Sequence, residues 1–175
     1  WVGGRRGMLA VFSVKTKEIA RQWTAHAESV IKSLLFCPKK GRGEEEGKKF
    51  DDESEVWSSG EDGCIYVWRE RDCTLLEVLT SLCGEIQPRY YTVLARGSCG
   101  KVYSGTYFGQ VIVWDVSQRV ILETIGEFTT VEVTALNVTT KQNGTDIIVC
   151  CFRDRRTAVY ECSLPSLTSS SSFSF

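Results

Sequence analysis

The chain has 175 residues, 21 Lys+Arg against 22 Asp+Glu, a formal net charge of -1 and 42% hydrophobic residues. That balance excludes a disordered chain, which combines low hydrophobicity with high net charge, and it offers no positive field to hold nucleic acid. The longest uncharged run before the C-terminal tail, residues 102–114, is 13 long, short of the roughly 18 apolar residues a spanning helix needs; one domain is expected at this length.

In chain order, Trp1-Val-Gly-Gly-Arg5-Arg6-Gly7 leads through a turn into a β-prone run ending on Phe12, and a strand is expected over 18–24. A second group opens with a strand over 30–36. Residues 39–55, KKGRGEEEGKKFDDESE, are nearly all charge and glycine and read as a disordered insertion. Its carboxylates Asp51, Asp52 and Glu53 have balancing lysines and read as solvated. Strands over 56–59 and 65–69 flank Glu61-Asp62-Gly63, a tight turn in which glycine supplies positive φ. Strands over 73–79 and 91–95 follow.

Gly97-Ser98-Cys99-Gly100-Lys101-Val102 has the look of a kinase glycine-rich loop. Trp114 stands where the next strand would need its lysine, however, and no H-R-D or D-F-G follows, so this stretch reads as a turn between two strands. Strands over 102–106 and 111–115 flank Tyr107-Phe108-Gly109, and strands over 120–125 and 134–138 come next. In the run 149–160, Cys150 and Cys151 point to opposite faces of a strand, so at least one is core, and Arg153, Arg155 and Arg156 crowd the following turn. Residues 165–175 are Ser-rich and read as a disordered tail.

These elements repeat. Trp1…Phe12, Trp57…Trp68 and Tyr103…Trp114 each run from an aromatic through small residues to a glycine six positions on (Gly7, Gly63, Gly109), then to another aromatic five later. Val149…Tyr160 is a weaker copy with Arg155 in place of the glycine. The last three copies are spaced by 46 residues and the first two by 56, the surplus falling in the charged insertion. Four short strands per period of about 40–50 residues is the signature of a propeller blade.

Gly63-Cys-Ile-Tyr-Val-Trp68-Arg69 and Gly109-Gln-Val-Ile-Val-Trp114-Asp115 resemble the end of a WD repeat, and Ala25-His26 with Val30, Leu34 and Phe36 is similar to the family's Gly-His opening and first inner strand. The resemblance covers about residues 1–161. It implies an all-β WD-repeat β-propeller of three and a half to four four-stranded blades over 1–164, a partial ring and a fragment of a larger protein. It further implies a hydrogen-bonded set that ties a blade together, here His26, Ser58, Asp62 and Trp68. The third copy departs from it, with Phe108 in place of the turn Asp and no His near Cys83-Gly84-Glu85; the first has Arg6 at the Asp position. Trp57, Trp68, Tyr103, Trp114 and Tyr160 are expected to pack between blades.

The function this implies is a non-catalytic protein–protein interaction scaffold; the alternative is the regulatory propeller of a signalling or trafficking enzyme whose catalytic domain lies outside this chain. Partners are other proteins of unknown identity, with self-association if the chain exists alone. The binding candidates are turn residues Arg5, Arg6, Glu61, Asp62, Tyr107, Phe108, Arg153, Arg155 and Arg156, since aromatics and arginines in exposed turns suit interface anchors. Eight cysteines without a C-x-x-C pair, and the single histidine His26, give no zinc pattern. No cofactor is expected, and the thiols suit a cytoplasmic or nuclear setting. The sequons Asn137-Val-Thr139 and Asn143-Gly-Thr145 are expected to be silent there.

Overall fold

The structure, a computed structural model, describes residues 1–38, 54–80 and 90–163. These residues are all-β, with fourteen strands and no helix. The strands are β1 (Val2–Gly3), β2 (Arg6–Ser13), β3 (Glu18–Glu28), β4 (Ile31–Cys37), β5 (Glu55–Gly60), β6 (Cys64–Arg69), β7 (Leu75–Thr80), β8 (Tyr91–Arg96), β9 (Lys101–Thr106), β10 (Val111–Asp115), β11 (Ile121–Ile125), β12 (Val133–Thr140), β13 (Asp146–Phe152) and β14 (Thr157–Cys162). They form four antiparallel sheets, β1-β2-β3, β4-β5-β6-β7, β8-β9-β10-β11 and β12-β13-β14, each a meander in chain order. The insertion expected to be disordered lies outside the described residues as far as residue 53, with its carboxylates Asp51, Asp52 and Glu53, and so do the tail over 165–175 and the segment around Cys83.

The β5–β6 and β9–β10 hairpins sit within a residue of the runs expected from sequence, whereas other boundaries shift further, and two differences bear on packing. The first is β3, which continues past Thr24 to Glu28 and keeps its pairing with β2 as far as Arg6, across a bulge. This carries His26 inside a strand. The second is the end of the charged insertion. Ser54 and Glu55 were expected in it but are buried, at 5% and 0% exposure, and Glu55 opens β5. Glu55 tolerates burial because Arg119 pairs with its Oε1 at 3.0 Å while Trp57 Nε1 donates to its Oε2 at 3.0 Å.

The core consists of three layers, each trapped between consecutive sheets. Leu9 meets Ile31, Val56 and Trp68 between the first two. Trp57, Ile65, Val67 and Leu79 meet Tyr91, Leu94, Val102, Ile112 and Trp114 between the second and third. Tyr103, Val111 and Val113 meet Val133, Ile148 and Cys150 between the third and fourth. The register explains the sorting. Trp57 pairs with Val67 and Val56 with Trp68 across β5 and β6, so alternate pairs face opposite neighbours. The first strands of successive sheets, β4, β8 and β12, lie next to one another.

The β5–β6, β9–β10 and β13–β14 hairpins share one turn. Gly63 N donates to Gly60 O, Gly109 N to Thr106 O and Arg155 N to Phe152 O, and the donor residue in each has positive φ: 77°, 78° and 72°. Arg155 thus occupies the conformation that glycine takes in its sister turns, at a cost of about 1–2 kcal/mol for a residue with a Cβ. An Arg155→Gly variant is expected to be more stable by about 0.5–1 kcal/mol after the greater freedom of unfolded glycine is discounted. Chemical denaturation checks this, and an unchanged or lower midpoint would refute the strain.

Candidate interaction face and the hydrogen-bonded set behind it

His26, Ser58, Asp62 and Trp68 come together. His26 is fully buried, its Nδ1 lies 2.9 Å from Asp62 Oδ2, and its Nε2 lies 2.8 Å from Ser58 Oγ. Trp68 Nε1 donates to the same Ser58 Oγ at 2.9 Å. Indole is a donor only, so the Ser58 hydroxyl accepts from Trp68 and has its own proton for His26 Nε2, leaving Nδ1–H to donate to Asp62. Asp62 Oδ1 also accepts from Cys64 N at 3.2 Å, which fixes the hairpin turn. Because β3 belongs to the first sheet and the other three residues to the second, the set joins two sheets.

Gly60 lies directly under this set: a Cβ there would sit 2.5 Å from His26 Nδ1. The Tyr66 ring is 4.2 Å from the imidazole and stacks on Trp68 at 5.9 Å. Burial first, and then the Asp62 charge, push the Tyr66 phenol up to about 12.

The other sheets keep parts of this arrangement. In the third, Trp114 Nε1 donates to Ser104 Oγ at 2.8 Å, the same indole–hydroxyl bond. Phe108 takes the place of the turn Asp, and Thr106 Oγ1 supplies the acceptor that the turn needs, receiving Phe108 N at 3.3 Å and Gln110 N at 3.1 Å. A second polar centre, which the sequence did not reveal, joins the third and fourth sheets at their opposite edge. Asp146, fully buried, accepts from Tyr103 Oη at 2.8 Å, Thr140 Oγ1 at 2.7 Å and Ser98 N at 3.1 Å. Burial raises its carboxyl, but these bonds outweigh it and hold the group below the usual carboxylate range. The same bond to Ser98 places a carboxylate on the backbone of the glycine-rich stretch 97–100, where a kinase loop would hold a phosphate. That stretch is the turn between β8 and β9.

The hairpin turns gather at the other edge. Glu61 N donates to Val30 O at 3.0 Å, Tyr107 N to Tyr90 O at 2.9 Å and Arg153 N to Glu132 O at 2.9 Å, so one bond recurs in three sheets and pins each turn to the start of its first strand. These three equivalent residues, with Lys32, Tyr90, Tyr91, Thr92 and Glu132, line one cavity of about 470 Å³. Ion pairs Lys32–Glu61 at 2.7 Å and Arg153–Glu132 at 3.3 Å neutralise its rim.

A row of aromatic rings runs outward from it. Tyr90 meets Tyr107 edge-on at 6.4 Å, Tyr107 meets Phe108 at 5.7 Å, and Phe108 stacks on Phe128 at 4.8 Å. Tyr107 is 42% exposed and Phe128 60%. Phe128 and Tyr90 were missed because they lie outside the repeat's turn. Arg5, Arg6, Arg155 and Arg156 are exposed but do not line the cavity; Arg156 binds Asp154 at 2.5 Å and lies over Phe152. Asp62 faces inward to His26.

No family model and no curated protein matches the chain. Among solved structures it is similar to the crystal structure of the computationally designed Ika4 protein, with a TM-score of 0.64 and 26% identity over 92% of this chain and 83% of that one.

Replacing His26 with Ala leaves Ser58 and Asp62 without their imidazole partner in the interior. The expected loss is about 2 kcal/mol, read as a lower melting temperature; an unchanged one would deny the set a structural role. Asp146 makes a separate prediction. Its carboxyl is lowered in the folded state, so its stabilisation is present above about pH 4 and is lost as pH falls through the lowered value. Asp146→Asn is expected to reduce stability at pH 7 and to flatten its decline below pH 4, which urea titrations across pH would reveal.

Proposed function

We propose that this chain is a WD-repeat β-propeller module of about four blades, each sheet being one blade. It acts as a non-catalytic scaffold whose protein partner meets the hairpin-turn face. Several features support the propeller reading: four meandering sheets stacked face to face, adjoining first strands, and a His–Ser–Trp set with its Asp cap at the repeat positions. The seven described cysteines are all unbridged, which suits the cytoplasm or nucleus.

The observation that carries the binding role is the convergence of equivalent turn residues on one cavity. Glu61, Tyr107 and Arg153 come from three successive hairpins and sit beside the row of exposed Tyr107, half-buried Phe108 and exposed Phe128. Rigid sheets hold the turns still, which lowers the ordering cost of docking. Aromatic rings backed by other rings lose little freedom on contact and suit a desolvated interface centre. The charge at the rim is paired, so this face selects by shape and apolar contact more than by net charge.

The test is binding by a partner recovered by affinity capture and then purified. Tyr107→Ser/Phe108→Ser is expected to keep the fold by circular dichroism and to weaken binding by at least tenfold. Equal affinity in that variant would remove this face as the docking site, and a collapsed fold would assign the two rings to the core. Tyr107→Ser/Phe128→Ser, both at exposed rings, separates these outcomes.

A further inference from the structure

Arg119, mostly buried, bonds to the carboxylates of Glu55 and Glu77, each at 3.0 Å. Lys101 is different. Its residue is only 3% exposed, yet among the described residues the side chain that its Nζ meets in a hydrogen bond is the thiol of Cys162, at 3.6 Å. Lysine is almost never so buried without a strong partner, and a thiol is a weak acceptor. The nearby Glu123 Oε2 contacts the sulfur, at 3.8 Å. Tyr103, packed in the same layer, donates its hydroxyl to Asp146 and also lies against the Cys162 thiol. Lys101 opens β9 in the third sheet and Cys162 closes β14 in the fourth, so an amine and an oxidisable sulfur from two sheets face each other across 61 residues of chain.

We propose that Lys101 and Cys162 form a peroxide-sensitive modification site, closing as a sulfenamide bond between the two sheets. In the first step the Cys162 sulfur attacks one oxygen of hydrogen peroxide. The O–O bond breaks, the thiol becomes a sulfenic acid, and one water leaves; sulfur is oxidised by two electrons and peroxide is reduced. In the second step Lys101, after its ammonium has given one proton to solvent, attacks that sulfur with its nitrogen lone pair. The S–N bond forms, the S–O bond breaks, and the hydroxyl departs as a second water with a proton from nitrogen, without further oxidation. The protein loses two hydrogen atoms in all. Two equivalents of a small thiol reverse the link, restoring thiol and amine and leaving as their own disulfide. Condensation with nitrogen consumes the sulfenic acid that would otherwise oxidise further. The bond also straps two sheets that the chain itself joins through residues 126–132. This site is independent of the turn face.

The test treats the full chain with a small excess of hydrogen peroxide, digests it and examines the peptides by mass spectrometry. The exposed Cys99 reports that oxidant was delivered. The expected product joins the Lys101 and Cys162 peptides, is lighter by two hydrogens, disappears with dithiothreitol, and is absent from Cys162→Ser. In Lys101→Met the link is lost, and dimedone traps the Cys162 sulfenic acid instead. Lys101→Arg keeps the charge in case the Met variant does not fold, and its yield of link should fall at least tenfold. Sulfinic acid or a dimedone adduct at Cys162 in the unmutated chain, with no link while Cys99 is oxidised, would overturn the proposal. Equal cross-linking in urea would overturn it too, because the folded geometry would then contribute nothing.

Discussion

The constraint on which the structure depends is that its central strands are buried on both faces. Every residue of β5 and of β9 is buried, so neither strand has a solvent side on which to place charge. A lone meander of such strands would expose both apolar faces to water and would not be stable by itself. Each sheet is therefore completed by its neighbours, and the side-chain period of two assigns alternate residues to alternate neighbours. Trp57 and Trp68 show the consequence. They lie on paired strands of one sheet, yet one is packed in the layer toward the third sheet and the other in the layer toward the first.

Stacking of this kind leaves a polar problem wherever a backbone turn or a hydroxyl is covered by the next sheet, and the copies solve it differently. The second sheet recruits a histidine from the first, so a side chain on β3 satisfies a serine and an aspartate on β5 and its turn. The third keeps the Trp–Ser bond and replaces the charged cap with a threonine hydroxyl. The fourth supplies Asp146 across the interface to a tyrosine and a backbone amide of the third. In the first and last of these arrangements the bond network crosses between sheets. Polar satisfaction and sheet stacking are then one cooperative feature, since unstacking strands several buried groups at once.

Much of this was legible in the sequence because it rests on local spacing. The turn glycines Gly63 and Gly109, the alternating runs on either side and the recurring aromatics placed the β5–β6 and β9–β10 hairpins to within a residue, and the set of Ser58, Asp62 and Trp68 was implied by the family resemblance of the repeats. His26 lies two residues past the expected strand end at Thr24, whereas β3 is held as far as Glu28 by pairing with β2. Residues whose role depends on a partner far along the chain were not legible. Glu55 reads as part of a charged run and is buried because Arg119, 64 positions later, reaches it. Asp146 looks like an ordinary turn carboxylate until Ser98 and Tyr103 close over it, and Phe128 has no repeat position at all.

The buried ionisable groups also separate structure from chemistry. Glu55 and Asp146 have their oxygens occupied by several donors, and full occupancy makes a group structural, because no lone pair or proton is free to react at low cost. Lys101 is held mainly by sulfur, a poor match for an ammonium, so its burial is explained less by hydrogen bonding than by its neighbour's identity. The turn face lies at the opposite extreme, where exposure is high but the charges are paired and the rings are braced against each other. The proposed reactivity thus rests on a weakly satisfied group in the interior, and the proposed recognition on braced rings beside a charge-paired rim.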